Sequence, residues 1–350
     1  MDKIERMSQT VKDFALGGGA IAVGIATTET LAGGPPSTDL SYVLPDARSA
    51  IVFALAFEQE VLESFLKKED MGGLNVANRR INTMASGIAL ELSEYLTMKG
   101  LVSVPVTANA VYRKDVPGGA YSELPPLSHR YLAARSGVGH FGLSGNIITA
   151  AHGAAVILGS VVTRADLIPT EPLPAEDNYC DECHLCQSSC VSGLMSRTEK
   201  TEVSLGGIAF SYSRRLSYSR CDYVCGGFAG LHPSGKWSTW SPARFPIPEK
   251  DEAFLPVLLK AAEPYKKRVK QDFGANIYHP LTPGNRLEFT CGHCQFICHP
   301  DKTVRQERYK MITGSGVVIQ DADGCSRAVK PEAAVAFLET LDAETRALYE

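Results

Sequence analysis

The chain has 350 residues, 44% of them hydrophobic and 21% charged, with a formal net charge of −4. This is the composition of a globular protein of one large or two intimate domains; it excludes a disordered chain and a sequence-wide basic field for nucleic acid. The longest apolar runs, such as SAIVFALAF, are too short to span a bilayer.

The opening residues, MDKIERMSQTVKDFALGGG, read as an amphipathic helix closed by glycines. They lack the basic and apolar regions of a secretory leader, so a cytoplasmic protein with no membrane partner is expected. AIAVGIA and SAIVFALAF have the length and β-branched content of buried strands. Residues 75–99 carry helical spacing that stops at Gly100, and LVSVPVTA, residues 101–108, reads as a further strand. The loop-rich stretch Val111–Pro126 leads into a helix over LSHRYLAARS, the loop GVGHFG, and two strand candidates, NIITAA and AAVILGSVVTRA. This alternation predicts a mixed helix and sheet fold, α/β or α+β. A Pro and acid-rich linker, residues 170–179, enters a cysteine-bearing region in which residues 191–290 form an excursion too long for bare loop. The chain closes with GVVIQDADGCSRAV, where the DG step suggests a hairpin, and a helix over PEAAVAFLETL.

Seven of the ten cysteines fall into two tight runs. Cys180, Cys183, Cys186 and Cys190 stand at C-x-x-C-x-x-C-x-x-x-C, and Cys291, Cys294 and Cys298 at C-x-x-C-x-x-x-C. This is the spacing of paired 4Fe-4S clusters. A zinc ribbon would use two C-x-x-C pairs and strand the remainder, and a chain this long needs no disulfide staples. In two-cluster folds the last cysteine of each run crosses to the other cluster. The expected sets are therefore Cys180, Cys183 and Cys186 with Cys298, and Cys190 with Cys291, Cys294 and one more. Cys221 is preferred as that eighth ligand, with Cys225 as the alternative. The proline that usually follows the fourth cysteine is absent: Val191 replaces it in the first run, and His299 precedes Pro300 in the second. His184 and His293, inside the runs, suit hydrogen bonding to a cluster rather than ligation. Cys325 matches no ligand spacing and reads as a structural thiol.

Two clusters alone imply electron transfer, yet 179 residues precede the first cysteine. The segment Leu127–Leu167 resembles the helix, A-G-L-G-x-x-G-K-N loop and paired strands of the cobalamin-dependent epoxyqueuosine reductases and reductive dehalogenases. Gly137, Gly139 and Gly142 match the loop glycines, Asn146 lies near the loop asparagine, and GAIAVGIA with LPDARSAIVFALAF resembles the family's first strand and L-P-G-A-R-S-x-I segment. The resemblance implies a nitroreductase-like cobalamin-binding domain over residues 1–170, a ferredoxin-like domain with two 4Fe-4S clusters over 171–310, and an extension over 311–350. Cobalamin contacts are then expected from His129, Gly137, Gly139, His140, Phe141, Gly142, Ser144 and Asn146. For the glycines alone, a plain helix-to-strand turn is the competing reading. No D-x-H-x-x-G motif is present, which fits a corrinoid without a histidine ligand.

Proton donors are expected just before the LSHRYLAARS helix. The family's aspartate position is occupied by Glu123, and Tyr112, beside Arg113 and Lys114, and Tyr121 are the tyrosine candidates. Trp237 and Trp240 read as core of the long excursion. The resemblance thus implies a reductase drawing electrons from a low-potential ferredoxin or flavodoxin-type donor. A small organic substrate is expected, since the family's tRNA-gripping helical repeats and twin-arginine leader are both missing. tRNA epoxyqueuosine is the alternative substrate, and a non-catalytic electron-transfer or corrinoid-activating protein the alternative class.

Overall fold

The computed structural model describes residues 2–107, 111–117, 124–273, 277–278 and 286–350. In chain order the first elements are α1 (Lys3–Gly17), β1 (Ala22–Thr27), β2 (Ser49–Ala56), α2 (Gln59–Leu66), α3 (Met71–Met98), β3 (Ser103–Val106), α4 (His129–Arg135), β4 (His140–Phe141), β5 (Ile147–Ile148) and β6 (Val156–Thr163). There follow α5 (Leu185–Ser188), β7 (Met195–Leu205), β8 (Ile208–Arg215), α6 (Ser219–Cys225), α7 (Phe254–Lys267), β9 (Ile277–Tyr278), β10 (Arg286–Leu287), α8 (His293–Phe296), α9 (Lys302–Gly314), β11 (Val317–Gln320), β12 (Ser326–Val329), α10 (Pro331–Thr340) and α11 (Ala343–Arg346). The chain forms two compact units: residues 1–57, 80–183 and 200–213, and residues 58–79, 184–199 and 214–350. No described helix is long and apolar enough to cross a membrane.

The first unit is built on a four-stranded sheet of order β1-β2-β6-β3, in which every pairing is antiparallel. The helix and strand alternation read from the sequence therefore resolves to its α+β form. All but the last residue of β2 are buried, as a central strand covered on both faces requires. Helix α4 reaches the sheet because Gly24 carries no side chain: a Cβ there would stand 2.1 Å from the Ser136 carbonyl oxygen. The expected strand NIITAA is shorter than read, since only Ile147 and Ile148 pair, with His140 and Phe141, and the chain then turns through Gly153.

In the second unit α5 packs against α8 and α9, α6 against α7, and α2 against α9. The excursion between the cysteine runs carries real structure, the β7–β8 hairpin, α6 and α7. Trp237 and Trp240 are both 3% exposed and so belong to the core. The hairpin at the DG step forms as β11–β12, with Gly324 at φ +87°, and α10 packs on it through Ala334.

Candidate functional site

In the first unit, the helix carrying His129 begins at Ser128, whose hydroxyl caps the Tyr131 amide. His129 Nδ1 lies 2.7 Å from Ser160 Oγ and Nε2 lies 3.1 Å from the Thr107 carbonyl. A carbonyl only accepts, so Nε2 carries the proton and Nδ1 accepts from the serine. Both nitrogens are thus engaged, and His129 pins α4 to β6 instead of offering a nitrogen to a ligand. Burial pushes its pKa below 6.5, partly opposed by the Thr107 carbonyl. The unfolded chain therefore takes up the proton first, and stability falls as pH drops through about 6.5. His140, His232 and His293 lean the same way. His129→Gln is expected to remove a part of this slope, at most about 1.4 kcal/mol per pH unit. Urea midpoints between about pH 8 and about pH 6 would measure it; an unchanged slope would refute the pinned neutral ring.

The glycine loop is consumed largely by its own fold. Gly137 has φ +72°, and a Cβ on it would stand 2.5 Å from the Glu171 carbonyl oxygen; at Gly139 it would stand 2.6 Å from that of Ile148. Gly142 donates its N–H to Asn146 O at 3.0 Å, and Ser144 Oγ accepts from the Asn146 amide at 3.2 Å. Phe141, 5% exposed, stacks on Tyr212 at 4.8 Å and meets Tyr131 edge-on, while the Tyr131 and Tyr212 hydroxyls share a 2.8 Å hydrogen bond. What the loop leaves open is His140 Nε2, buried with no hydrogen-bond partner. The loop also holds the first cysteine: Leu143 N–H donates to Cys180 Sγ at 3.2 Å, and Asn178 Nδ2 donates to the Phe141 carbonyl at 3.3 Å.

Of the candidate proton donors, Tyr121 and Glu123 lie outside the described residues. Tyr112 is half-buried. The adjacent Arg113 is already committed: it makes a bidentate pair with Asp115 at 3.0 and 2.7 Å, donates to Pro36 O, and lies 3.6 Å from the centre of the Tyr42 ring. Lys114 is exposed.

The second unit gathers cysteines. Helix α6 places Cys221 and Cys225 one turn apart on the same face. The chain entering the second run is tied to the end of that helix, since Thr290 donates its N–H to the Cys225 carbonyl at 3.0 Å and its hydroxyl to that of Val224 at 2.8 Å. Asn75 clamps the preceding residue, accepting from the Phe289 amide at 2.8 Å. Gly292 makes the turn into α8 at φ +126°, where a Cβ would meet the Phe296 ring at 2.5 Å. As a result each of Cys190, Cys221, Cys291 and Cys294 lies within electrostatic reach of the other three. A hydrogen bond with Cys225, then burial, pushes the Cys221 thiol up; burial pushes Cys291 up to about 12 and Cys294 higher still.

Among the described residues no three His, Cys, Asp or Glu side chains close around a single metal ion. A four-iron cluster asks for something else, because each thiolate bonds a different iron and the sulfurs stand apart. One buried donor beside the cysteines has no hydrogen-bond partner, Lys68 Nζ, in reach of Cys291, while the buried ring of His293 has the Ser189 backbone within reach. The thiol set and the unpartnered Lys68 amine fit a cluster whose sulfides accept hydrogen bonds. His184 differs, since its Nδ1 meets Gln187 Oε1 at 2.6 Å. Cys180 and Cys183 belong to the first unit, Cys186 and Cys298 to the second. Sequence reasoning missed Lys68 and Arg215, the latter in reach of Cys221 and Cys294. Neither sits in a cysteine run, and only the fold brings them there.

No family model matches the chain. In sequence it is 29% identical over 181 residues to an epoxyqueuosine reductase of Gloeobacter violaceus, covering 51% of this chain and 50% of that protein. It is 24% identical over 172 residues to an epoxyqueuosine reductase of Atelocyanobacterium thalassa, covering 49% and 50%. The matched stretch thus spans about half the length of these curated relatives. In fold the chain is similar, over its full length, to 38% of the catabolic reductive dehalogenase NpRdhA, with a TM-score of 0.52 at 12% identity. These similarities match the resemblance carried by the motifs: the curated sequence relatives are named epoxyqueuosine reductases, and the fold is similar to that of a reductive dehalogenase.

Proposed function

We propose that this chain is an iron-sulfur and cobalamin-dependent reductase in which two 4Fe-4S clusters carry electrons from an external low-potential donor, of ferredoxin or flavodoxin type, to a corrinoid site that reduces a small organic molecule. The observation that carries the reading is the convergence of Cys190, Cys221, Cys291 and Cys294 beside the unpartnered amine of Lys68. In this reading Cys221 is the eighth ligand, because it lies within electrostatic reach of the other three, and Cys225, which hydrogen-bonds it, is the alternative. The cysteine spacing assigns Cys180, Cys183, Cys186 and Cys298 to the first cluster. Residues 1–170 act as a nitroreductase-like domain and 171–310 as a ferredoxin-like one.

A bound corrinoid supplies a cobalt centre able to deliver electrons to carbon. On this chain, His140 Nε2 is the buried polar atom left to meet such a group, and Leu143 N–H keeps the Cys180 sulfur beside the same loop. Gly137 and Gly139 serve the turn itself. Tyr112, Tyr121 and Glu123 are the residues assigned to hold the proton that accompanies reduction.

Protein purified without oxygen is expected to hold about eight irons and one corrinoid per chain. Iron without corrinoid would remove the cobalamin part, and absence of iron the whole reading. The second reading, epoxyqueuosine in tRNA, has the names of the curated relatives behind it. It requires tRNA binding that weakens steeply with salt; a low-salt titration without such binding leaves the small molecule.

A further inference from the structure

Lys68 breaks a local rule in a way that its neighbours explain. Helix α2 ends in a Schellman motif: Lys68 N–H donates to Phe65 O at 3.2 Å and Glu69 N–H to Ser64 O at 2.9 Å. The residue after such a helix end adopts a left-handed conformation and is usually glycine. Here it is a lysine, at φ +63°. A side chain kept where its backbone is strained needs a compensating role.

That side chain is directed into the protein. Lys68 is 7% exposed, and its amine has no hydrogen-bond partner. The ammonium lies 5.9 Å from the centre of the Trp240 ring, which the same helix fixes, since Trp240 Nε1 donates to the Phe65 carbonyl at 2.9 Å. The Cys291 sulfur and the His293 ring lie within its electrostatic reach. Burial disfavours the charged form of this amine, lowering its pKa to about 7, and keeping it as an ammonium takes an anion beside it. A cluster ligated by four thiolates is such an anion, and reduction adds one more negative charge to it. Arg215 also faces this group through Cys221 and Cys294, but it is tethered to Tyr218 Oη at 3.1 Å.

We propose that Lys68 is the counter-cation of the cluster held by Cys190, Cys221, Cys291 and Cys294, and that it raises the reduction potential of that cluster over its partner's. The inference rests on the cluster assignment above. Charge and hydrogen bonds at the sulfurs are among the levers that set cluster potentials. The residue transfers no electron or proton; it stabilises the state formed when an external reductant delivers one electron.

The test is an anaerobic titration with dithionite, followed by electron paramagnetic resonance, on the whole chain and on Lys68→Met and Lys68→Arg. Lys68→Met is expected to make reduction of one cluster at least tenfold less favourable, a drop of about 59 mV for a one-electron couple. The other cluster should hold its midpoint, and Lys68→Arg should recover most of the drop. A lysine that only filled space would alter the melting temperature and leave both midpoints in place. Full iron with unmoved midpoints in Lys68→Met overturns the proposal. If Lys68→Met does not retain iron, Lys68→Gln takes its place in the same titration. Wild-type protein that binds no iron would instead overturn the cluster assignment itself.

Discussion

Cys294→Ser is expected to purify with about half the iron of the wild-type protein, roughly four atoms instead of eight, and with no reductase turnover. Cys294 stands on α8 facing Cys190, Cys221 and Cys291, and burial holds its thiol protonated until iron displaces the proton. A serine hydroxyl at the same place has a far higher pKa and does not compete for iron. The remaining three thiols then lack a fourth partner, and the cluster is lost while the set containing Cys180 is untouched. Iron determination on the anaerobic protein decides the matter. Cys325→Ser, at an exposed thiol outside both runs, is the control that should keep all its iron. Unchanged iron in Cys294→Ser would refute the ligand assignment.

Gly139→Ala is expected to destabilise the cofactor-free protein by about 1–3 kcal/mol, the usual range for forcing a methyl into packed structure. The added Cβ would stand 2.6 Å from the Ile148 carbonyl oxygen and 2.7 Å from Ile147 Cγ2. Neither yields easily, because β4 and β5 are held in register by His140 opposite Ile148. At Gly142 the nearest atom is the Ile148 Cγ2 methyl at 3.0 Å, which gives way, so Gly142→Ala should cost less than about 1 kcal/mol. Denaturant unfolding of both variants separates two roles for the loop. If the glycines existed to let a macrocycle approach, both variants would match wild-type stability and differ only in corrinoid binding.

Much of the fold was legible because its elements are long and periodic. The strands at 49–56 and 156–163 and the helix ending at Met98 announce themselves by pattern alone. Antiparallel pairing did not, since a buried strand reads the same whichever way its neighbour runs. The cysteine spacing is legible as cluster-type spacing because ligation fixes local geometry within a few residues. The glycine loop was legible only as a motif: Gly137 and Gly139 are also demanded by carbonyls at Glu171 and Ile148, contacts that a motif does not carry. Lys68 was beyond reach for a related reason. It lies 223 residues before Cys291, and only a helix end with an unusual residue hints at it.

The placement of the aromatic residues has an optical consequence. The chain contains two tryptophans, and both lie in the second unit: Trp237 with its ring 5.6 Å from that of His293, and Trp240 under Lys68. Iron-sulfur chromophores absorb broadly across indole emission, so a cluster among these cysteines would drain it by energy transfer. Fluorescence excited at the indole red edge, where tyrosine does not absorb, therefore reads this unit selectively, dim when loaded and bright when stripped, whereas the first unit contributes tyrosine emission only.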